Sequence, residues 1–471
     1  MACVVMKFGG SLTASADLMQ RIVQITQIEF AAWERVVVVV SAMAGVTDAL
    51  LNAAEAAVQA DAATYRRITN RLLHSHSQMI ADLFGDGIEA QRLMSHIQQH
   101  LQSLLHICDA IVNKQAPLLL LKDQVMALGE CMIAPILTAL MQREGLRAVQ
   151  VDPLALLITD NTHQHAHPVI DLVDTQADLI LKPLLDAGVI PVVPGFIGKS
   201  RSGNLTTLGR GGSDLTATVL GAALDADEVW IWTYVDGIMS ADPALVPNAR
   251  VIPALTYDEV NELSYFGARV IHPGAIEPLV GRGIPLRVRS PFNLDHAGTL
   301  IQAEAPAEFA ETLKAVTAVD GLCLNSVNHP FDLVSFLGKV RDIVGAALPA
   351  PSIVMQSHQR ATLVFVVPTS EGPSAVSAIA SNLTQHLPDW EVLPVKVIAA
   401  IGAFPSTRLT VDGPIRPIAA ALGADNRLLI AVRTEDVQAA VRQLHWWVEQ
   451  GAPSAGILYP RRMLSSGEET T

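Results

Sequence analysis

Residues 207–224 read TLGRGGSDLTATVLGAAL and place glycines, a serine and an aspartate directly before an apolar helical pattern. The first turn of a helix has unpaired backbone N–H groups and a partial positive charge. Glycine lets a ligand approach that backbone closely, because it has no Cβ atom. The stretch therefore predicts an anion site, above all for phosphate. Ordinary capping of the helix by Ser213 or Asp214 is the alternative that these residues alone leave open.

Short runs rich in valine and isoleucine alternate with longer helical patterns through the first part of the chain. Such runs predict the buried strands of a largely parallel sheet with helices on its faces, which is an α/β fold. We predict strands within 4–10, 35–45, 148–160, 189–198, 228–237 and 284–290. From 52 to about 120, strand patterns are scarce and helical patterns dominate, which indicates a helical insertion on the α/β core.

Small and charged residues at 303–314 predict a linker, and two similar units follow it. Each unit has the order strand, helix, strands, helix, which indicates an approximate repeat of a small α+β module. The predicted boundaries are 1–302 for the α/β domain, 315–393 and 394–455 for the two modules, and 456–471 for a polar tail.

Bulk composition limits the classes of protein to which the chain can belong. With 471 residues it is too long for one core, and with 50% hydrophobic and 17% charged residues it is not disordered. A formal charge of −14 argues against nucleic acid or an acidic membrane as the main partner. The four cysteines form no CxxC pair, and neither a signal peptide nor a membrane-spanning run is evident. We therefore expect a cytoplasmic protein with free thiols and without a nucleic-acid or membrane partner.

Several polar residues follow predicted strands, where α/β sheets bind their ligands. Lys7 ends the first strand and precedes Gly9 and Gly10, although the chain has no Walker A pattern there. Ser41 and Thr47 follow the second strand, and their hydroxyls suit either a helix cap and turn or a polar ligand.

Glu130 lies within an apolar helical pattern, where a carboxylate is costly unless a cation pairs with it. An internal arginine and the amino group of a substrate both remain open as that partner.

These residues together predict a phosphoryl-transfer site. Lys7 and the glycine pairs at 9–10 and 211–212 would neutralise nucleotide phosphates. The planar guanidinium group of Arg210 would hold a carboxylate through two parallel hydrogen bonds. No general base is evident, and a carboxylate acceptor needs none, because with a pKa of about 4 it is already ionised at neutral pH. The pattern therefore favours an amino acid that is phosphorylated on a carboxyl group.

Five histidines of the insertion raise the question of a metal site. They follow polar helix faces, and no carboxylate or cysteine accompanies them at ligand spacing. We interpret them as solvated helix faces and predict no metal ligands among the side chains. These histidines are His74, His76, His96, His100 and His106.

The motifs resemble, in order and spacing, those of the aspartate kinases, which belong to the amino acid kinase superfamily. The two C-terminal modules resemble the paired ACT domains of that family. The motifs that carry the resemblance are VMKFGGS (5–11), VVVVSAMAGVTD (37–48), LGE (128–130), VVPGFIG (192–198), TTLGRGGSDLTA (206–217), WTYVDGIMSADP (232–243) and FGARVIHP (266–273).

The resemblance implies an amino acid kinase fold and the ATP-dependent phosphorylation of L-aspartate to 4-phospho-L-aspartate, with Mg²⁺ bridging the phosphates. This reaction begins the biosynthesis of lysine, threonine and methionine. Lys7 would stabilise charge on the transferring phosphoryl group, and Asp214 would orient Lys7. The implied aspartate-binding residues are Ser41, Thr47, Glu130, Arg210 and Ser213. The implied nucleotide-binding residues are Lys7, Gly9, Gly10, Gly211, Gly212, Thr233, Tyr234, Met239, Arg269 and Val270.

The family also implies a homodimer or higher homo-oligomer through the ACT modules, with lysine or threonine as effector near 324–340. The chain departs from the family pattern at Leu12, Tyr234, Ala244 and Arg269. Tyr234 and Ala244 stand where the family has charged residues beside the nucleotide, which implies weaker ATP binding or an altered nucleotide preference. The alternatives are another amino acid kinase of the superfamily and a non-catalytic protein that senses amino acids.

Overall fold

The computed structural model describes residues 2–268, 271–307, 312–327, 332–345, 348–356, 360–368, 374–402, 417–422 and 427–450. The chain divides into two compact units. The first unit comprises Met1–Gly237 and Ile271–Ala303. The second unit comprises Ile238–Val270 and Glu304–Thr471.

Strands and helices alternate in the first unit, whereas strands predominate in the second. The strands are β1 (Cys3–Phe8), β2 (Arg35–Val40), β3 (Ala148–Gln150), β4 (Ile158–Thr159), β5 (Ile190–Pro194), β6 (Ile197–Ser200), β7 (Leu205–Thr207), β8 (Glu228–Trp232), β9 (Ala254–Thr256), β10 (Leu286–Arg289), β11 (Thr299–Gln302), β12 (Leu313–Val327), β13 (Ile353–Gln356), β14 (Arg360–Val366), β15 (Trp390–Gly402), β16 (Ala419–Leu422) and β17 (Leu428–Val432). The helices are α1 (Ala16–Trp33), α2 (Val46–Val58), α3 (Ala62–Phe84), α4 (Ile88–Val112), α5 (Leu118–Arg143), α6 (Pro153–Leu156), α7 (Ile170–Asp186), α8 (Gly212–Ala223), α9 (Tyr257–Tyr265), α10 (Glu277–Val280), α11 (Leu333–Val344), α12 (Ala375–His386) and α13 (Val437–Gln450).

A largely parallel sheet forms the centre of the first unit, in the strand order β3-β5-β2-β1-β8-β10-β11. All neighbours in it are parallel except β10 and β11. Val4, Val5 and Met6 of β1 are fully buried, as expected for a strand covered on both faces. The predicted α/β class is therefore confirmed, and β1 lies at the centre with its carboxyl end beside those of β2 and β8.

Four long helices, α2 to α5, pack against one another, and α3 and α4 lie within the segment 52–120, where the sequence predicts mainly helix. By length and composition α5 alone, among the described helices, resembles a membrane span. Most of its apolar stretch is buried inside the unit, which is typical of a core helix, so the resemblance is weak evidence for a membrane. The apolar helical pattern around Glu130 is part of this helix, which continues through Pro135.

The strand predicted within 148–160 is wrong in its middle part, where the chain forms β3, the short helix α6 and then β4. Asp152 caps α6, because its carboxylate accepts a hydrogen bond of 2.9 Å from the backbone N–H of Leu154. Pro153 occupies the first helical position, where its fixed φ favours a helix start. Strand β4 belongs to a separate small sheet with the order β4-β6-β7.

The second unit contains a six-stranded antiparallel sheet with the order β13-β14-β12-β15-β17-β16. Its two long central strands, β12 and β15, come from different sequence repeats and pair along most of their length. Helices α11 and α12 contribute to one hydrophobic core of the unit, and α13 contributes to another. The two repeats therefore share one continuous sheet.

Candidate active site

A cavity of about 360 Å³ lies in the first unit, at the carboxyl ends of β1 and β2. Parallel sheets bind ligands at this edge. The cavity gathers most of the residues singled out from the sequence, although they come from distant parts of the chain. Those that line it are Lys7, Gly10, Ser41, Thr47, Glu130, Arg210, Gly211, Gly212, Ser213 and Asp214.

An ion pair joins the central strand to the glycine-rich helix start. Lys7 Nζ lies 2.5 Å from Asp214 Oδ1, and the two side chains are only 12% and 17% exposed. Lys7 is on β1, and Asp214 is in the first turn of α8. The carboxylate thus holds the ammonium at the cavity wall in one orientation.

The glycine-rich loop has the geometry of an open helix N-terminus. Helix α8 follows Gly211, which has φ +74°, and no side-chain hydrogen bond caps this end. A Cβ atom on Gly211 would lie 2.5 Å from His272 Cβ, so only glycine fits there. Ser213 and Asp214 lie inside the first turn, which rules out the capping alternative. The backbone and dipole of the helix start thus face the cavity.

The loop after β1 is held close to the loop after β2. A Cβ atom on Gly10 would lie 2.6 Å from the carbonyl oxygen of Ala42, so the glycine is required for backbone packing. Leu12, one of the departures from the family pattern, is buried in the core below this loop. The requirement at Gly10 is thus set by the protein's own backbone, a role that the sequence does not reveal.

Ser41 and Thr47 both line the cavity. The backbone N–H of Ser41 donates to the carbonyl of Phe8 at 3.2 Å, which ties the ends of β2 and β1 together. Helix α2 has Gly45 as its N-cap residue, so the alternative that Thr47 is the cap is wrong. The Thr47 hydroxyl is thereby left for another partner.

Glu130 is a buried carboxylate in the middle of α5, with only 3% of its surface exposed. Within the described part of the chain its Oε2 atom has no hydrogen-bond partner, and no arginine pairs with it. Burial raises the pKa of Glu130 to about 7, while a backbone hydrogen bond from Ala42 and the charge of Lys7 oppose the rise. Of the two partners that the sequence leaves open, the internal arginine is therefore excluded among the described residues.

Arg210 is exposed at the cavity and forms no ion pair with any described carboxylate. The cavity also includes residues that the sequence analysis does not select. Phe196 is one of them, in the VVPGFIG motif, and its φ of +70° is unusual for a side chain of this size. Its backbone N–H donates to the Thr216 hydroxyl at 2.9 Å.

The residues predicted to border the nucleotide are less closely gathered. Gly9 is adjacent to the Lys7 ammonium, which a Cβ atom there would approach to 3.6 Å. Thr233 and Tyr234 follow β8, and the half-exposed Tyr234 ring lies 5.1 Å from that of Phe292. Met239, a further predicted position, belongs to the second unit, as does Ala244, a departure from the family pattern. Arg269 and Val270 lie outside the described residues.

The interpretation of the five histidines as solvated helix faces is wrong for three of them. His76 is fully buried and its Nδ1 lies 2.7 Å from the carbonyl oxygen of Leu72. His96 and His100 are half-buried, with their Nε2 atoms 3.0 Å apart, and burial lowers the pKa of His100 to about 4. His74 and His106 are exposed as expected. In the described part of the chain, no three histidine, cysteine or acidic side chains group as metal ligands.

Glu130→Gln should make the protein more stable at pH 8, by up to about 3 kcal/mol, and change its stability little near pH 4. The folded-state pKa is raised, so the native form loses stability as pH rises from about 4.5 to about 7. Glutamine removes this loss. Urea unfolding across this pH range measures the effect, with Glu55→Gln on an exposed face of α2 as the control. Equal pH dependence of wild type and Glu130→Gln would contradict the proposed burial cost.

Known proteins were compared with the chain in sequence and in structure. The model of the amino acid kinase family matches residues 2–290. Aspartokinase 2, chloroplastic, of Arabidopsis thaliana is 35% identical over 305 residues, which cover 63% of this chain and 54% of that protein. The chain thus spans about half the length of this relative.

Two solved structures of E. coli aspartokinase III, each 26% identical, align with the chain. The complex with aspartate and ADP covers 94% of this chain and 99% of its own, with a TM-score of 0.75. The complex with lysine and aspartate covers 95% and 99%, with a TM-score of 0.77. The residues that match the family model include strands β1 to β10 and all the residues that line the cavity. The chain therefore belongs to the amino acid kinase family.

Proposed function

We propose that the protein is an aspartate kinase, which transfers the γ-phosphoryl group of ATP to the β-carboxylate of L-aspartate. The observation that carries this proposal is the buried Glu130, whose Oε2 atom has no hydrogen-bond partner among the described residues, in a cavity that also contains Arg210 and the ion-paired Lys7. The described structure thus offers groups for an amine, a carboxylate and a phosphate in one place. E. coli aspartokinase III, which was solved with aspartate and ADP, supports the assignment, because the two chains align over nearly their whole length.

The acceptor would be bound by its two charged α-substituents. Arg210 has no ion-pair partner among the described residues, and its planar guanidinium suits a carboxylate through two parallel hydrogen bonds. Glu130 would pair with the α-ammonium group, which compensates for its burial. The hydroxyls of Ser41, Thr47 and Ser213 would complete the binding of aspartate. The remaining β-carboxylate would then face the phosphates.

Phosphoryl transfer to this carboxylate needs alignment and charge neutralisation rather than a base. Lys7 would stabilise the negative charge on the transferring group, since Asp214 fixes the position of its ammonium. The N-terminus of α8, after Gly211, would contribute its backbone N–H groups and dipole. The nearby Gly9, Gly10 and Gly212 would line the phosphates.

Mg²⁺ would enter with the nucleotide and neutralise phosphate charge during transfer. The described residues contain no group of three ligand side chains, and this fits an ion that is held mainly by phosphates and water. Asp48 lines the cavity without an ion pair among the described residues and is the carboxylate available to such an ion, since Asp214 is paired with Lys7.

The biological setting follows from the proposed reaction. The product would be 4-phospho-L-aspartate, from which lysine, threonine and methionine are made. A cytoplasmic location fits the free thiols of Cys3, Cys108, Cys131 and Cys323 in the structure.

A coupled assay should show ADP release that requires both aspartate and Mg-ATP. Lys7→Ala should lower kcat by about 10²- to 10³-fold, because it removes charge stabilisation in the transition state, and leave the KM for aspartate nearly unchanged. Lys182→Ala on the outer helix α7, where the ammonium pairs with Asp178, is the matched control and should behave like wild type.

Two outcomes, from the same assay together with an aspartate-binding measurement, separate the competing functions, and a third tests the role of Lys7. Activity with glutamate or N-acetylglutamate in place of aspartate would identify a different amino acid kinase. Aspartate binding without ADP release would identify a non-catalytic sensor, the alternative to which Tyr234 and Ala244 point. Near-normal kcat in Lys7→Ala would remove that residue from the mechanism.

Glu130→Gln should raise the KM for aspartate far more than the KM for Mg-ATP, because it removes the anionic partner of the substrate amine. In wild type the KM for aspartate should also rise as pH falls below about 7, where Glu130 takes up a proton. The variant should lack this pH dependence. Steady-state kinetics at pH 6 to 9 measures both effects. Equal increases in the two KM values would instead make Glu130 a structural residue.

We also propose that the second unit is a pair of ACT domains that dimerises and binds an amino acid. The continuous sheet formed by β12 and β15 supports this, since the two repeats are joined as a pair. E. coli aspartokinase III in complex with lysine and aspartate aligns over 95% of the chain. The predicted effector segment 324–340 includes α11, whereas residues 328–331 lie outside the described part.

Sedimentation equilibrium should give a dimer, because paired ACT modules present sheet edges for association. Lysine or threonine at millimolar concentration should modestly inhibit ADP release in the coupled assay. Such inhibition requires that the amino acid bind a less active conformation of the kinase more tightly than the active one. Glycine at the same concentration is the control. A monomer would contradict the assembly, and activity that stays flat with lysine and threonine, singly and together, would contradict the regulation.

A further inference from the structure

Asp123 is a second buried carboxylate on α5, outside the cavity, and it is fully inaccessible to solvent. Three groups satisfy it. The Thr207 hydroxyl donates to Oδ1 at 2.6 Å, the backbone N–H of Gln164 donates to Oδ1 at 3.0 Å, and His163 Nδ1 lies 2.5 Å from Oδ2. Burial raises the pKa of Asp123, and these hydrogen bonds oppose the rise. We call this group of four residues the Asp123 cluster.

The Asp123 cluster joins three segments that are far apart in sequence, and one of them leads directly into the site. Thr207 is the last residue of β7 and stands three residues before Arg210. The backbone N–H of Ala166 donates to the Thr207 carbonyl at 3.0 Å. A Cβ atom on Gly209 would lie 2.7 Å from the carbonyl oxygen of Gln164. The residues that lead to Arg210 therefore pack against the segment 163–166, which Asp123 holds in place.

Asp123 and Glu130 are seven residues apart on α5, so they lie on one face of the helix, separated by about 10 Å along its axis. The helix is rigidly packed, with most of its residues between these two positions buried. One end of this face thus presents Glu130 to the cavity, and the other end anchors the loop that carries Arg210.

We propose that Asp123 is a positioning residue that fixes the distance between Arg210 and Glu130 and thereby sets the affinity for the acceptor amino acid. The inference rests on the function proposed above, in which these two groups bind the carboxylate and the amine of the acceptor. Asp123 itself touches neither substrate. Its effect is therefore on KM for the acceptor, since a shifted loop weakens a two-point contact without removing the charge that drives transfer.

Neighbouring threonines on β7 provide a matched test. Thr206 and Thr207 are both almost fully buried, and each hydroxyl makes a short hydrogen bond to a side chain. The Thr206 hydroxyl bonds that of Thr159 at 2.7 Å, within the small sheet β4-β6-β7. The Thr207 hydroxyl bonds Asp123. Valine at either position removes one buried hydrogen bond and keeps the shape, so only the connection to α5 differs.

Thr207→Val should raise the KM for aspartate about tenfold, the equivalent of one lost hydrogen bond to a charged group, with smaller changes in kcat and in the KM for Mg-ATP. Asp123→Asn should act in the same direction, and combining the two changes should add little. Thr207→Ser keeps the hydroxyl and should restore the wild-type KM. Thr206→Val should lower the melting temperature about as much as Thr207→Val does, because each variant loses one buried hydrogen bond. It should leave the KM values for aspartate and for Mg-ATP within twofold of wild type.

Hydrogen exchange of the substrate-free protein gives a readout that does not depend on activity. Amides of residues 208–213 should exchange faster in Thr207→Val than in wild type or Thr206→Val. The positioning role would be overturned if Thr206→Val and Thr207→Val changed the KM for aspartate and the exchange of these amides equally. It would also be overturned if Thr207→Val changed neither quantity. If wild type does not phosphorylate aspartate, the proposed function fails, and the exchange difference still decides whether Asp123 orders the loop.

Discussion

The ion pair between Lys7 and Asp214 is the interaction on which the arrangement of the site depends. It can form only if β1 is in its central position and α8 begins directly opposite the end of that strand. Both side chains are largely buried, so either charge without the other would be costly. The glycine at position 211 permits this helix start, because its φ of +74° and its contact with His272 exclude a side chain. Sheet order, loop geometry and the placement of the ammonium are thus parts of one constraint.

The charged groups around the cavity are only partly paired within the described structure. Lys7 is neutralised by Asp214, whereas Arg210 forms no ion pair and Glu130 Oε2 accepts no hydrogen bond in the described structure. Burial raises the pKa of Glu130, because the ionised carboxylate loses solvation inside the protein. Sites that bind charged ligands commonly keep such costs, because the ligand compensates for them. A zwitterion would satisfy both groups at once.

The sequence predicts the central strands and the cavity residues well, for a physical reason. Continuous apolar runs such as β1 and β2 occur where both faces of a strand are covered, and ligand-binding residues of parallel sheets follow their carboxyl ends. The helix α6 within 148–160 was not predicted, since a cap at Asp152 outweighs a β-like composition over a few residues. Gly10 is required by the Ala42 carbonyl, and His76 is buried by tertiary packing. Neither fact is contained in local sequence.

The two buried carboxylates of α5 show how a structure separates positioning from binding when the sequence cannot. In the sequence both are acidic residues within one helical pattern. In the structure Asp123 receives three hydrogen bonds from the protein, so its burial is already compensated and it can act as a fixed anchor. Glu130 keeps an unpartnered oxygen at a cavity wall, which suits the substrate amine that we propose as its partner. A complete set of internal donors around Asp123 and an incomplete set around Glu130 therefore distinguish the two proposed roles, and α5 holds both groups at a fixed separation along one face.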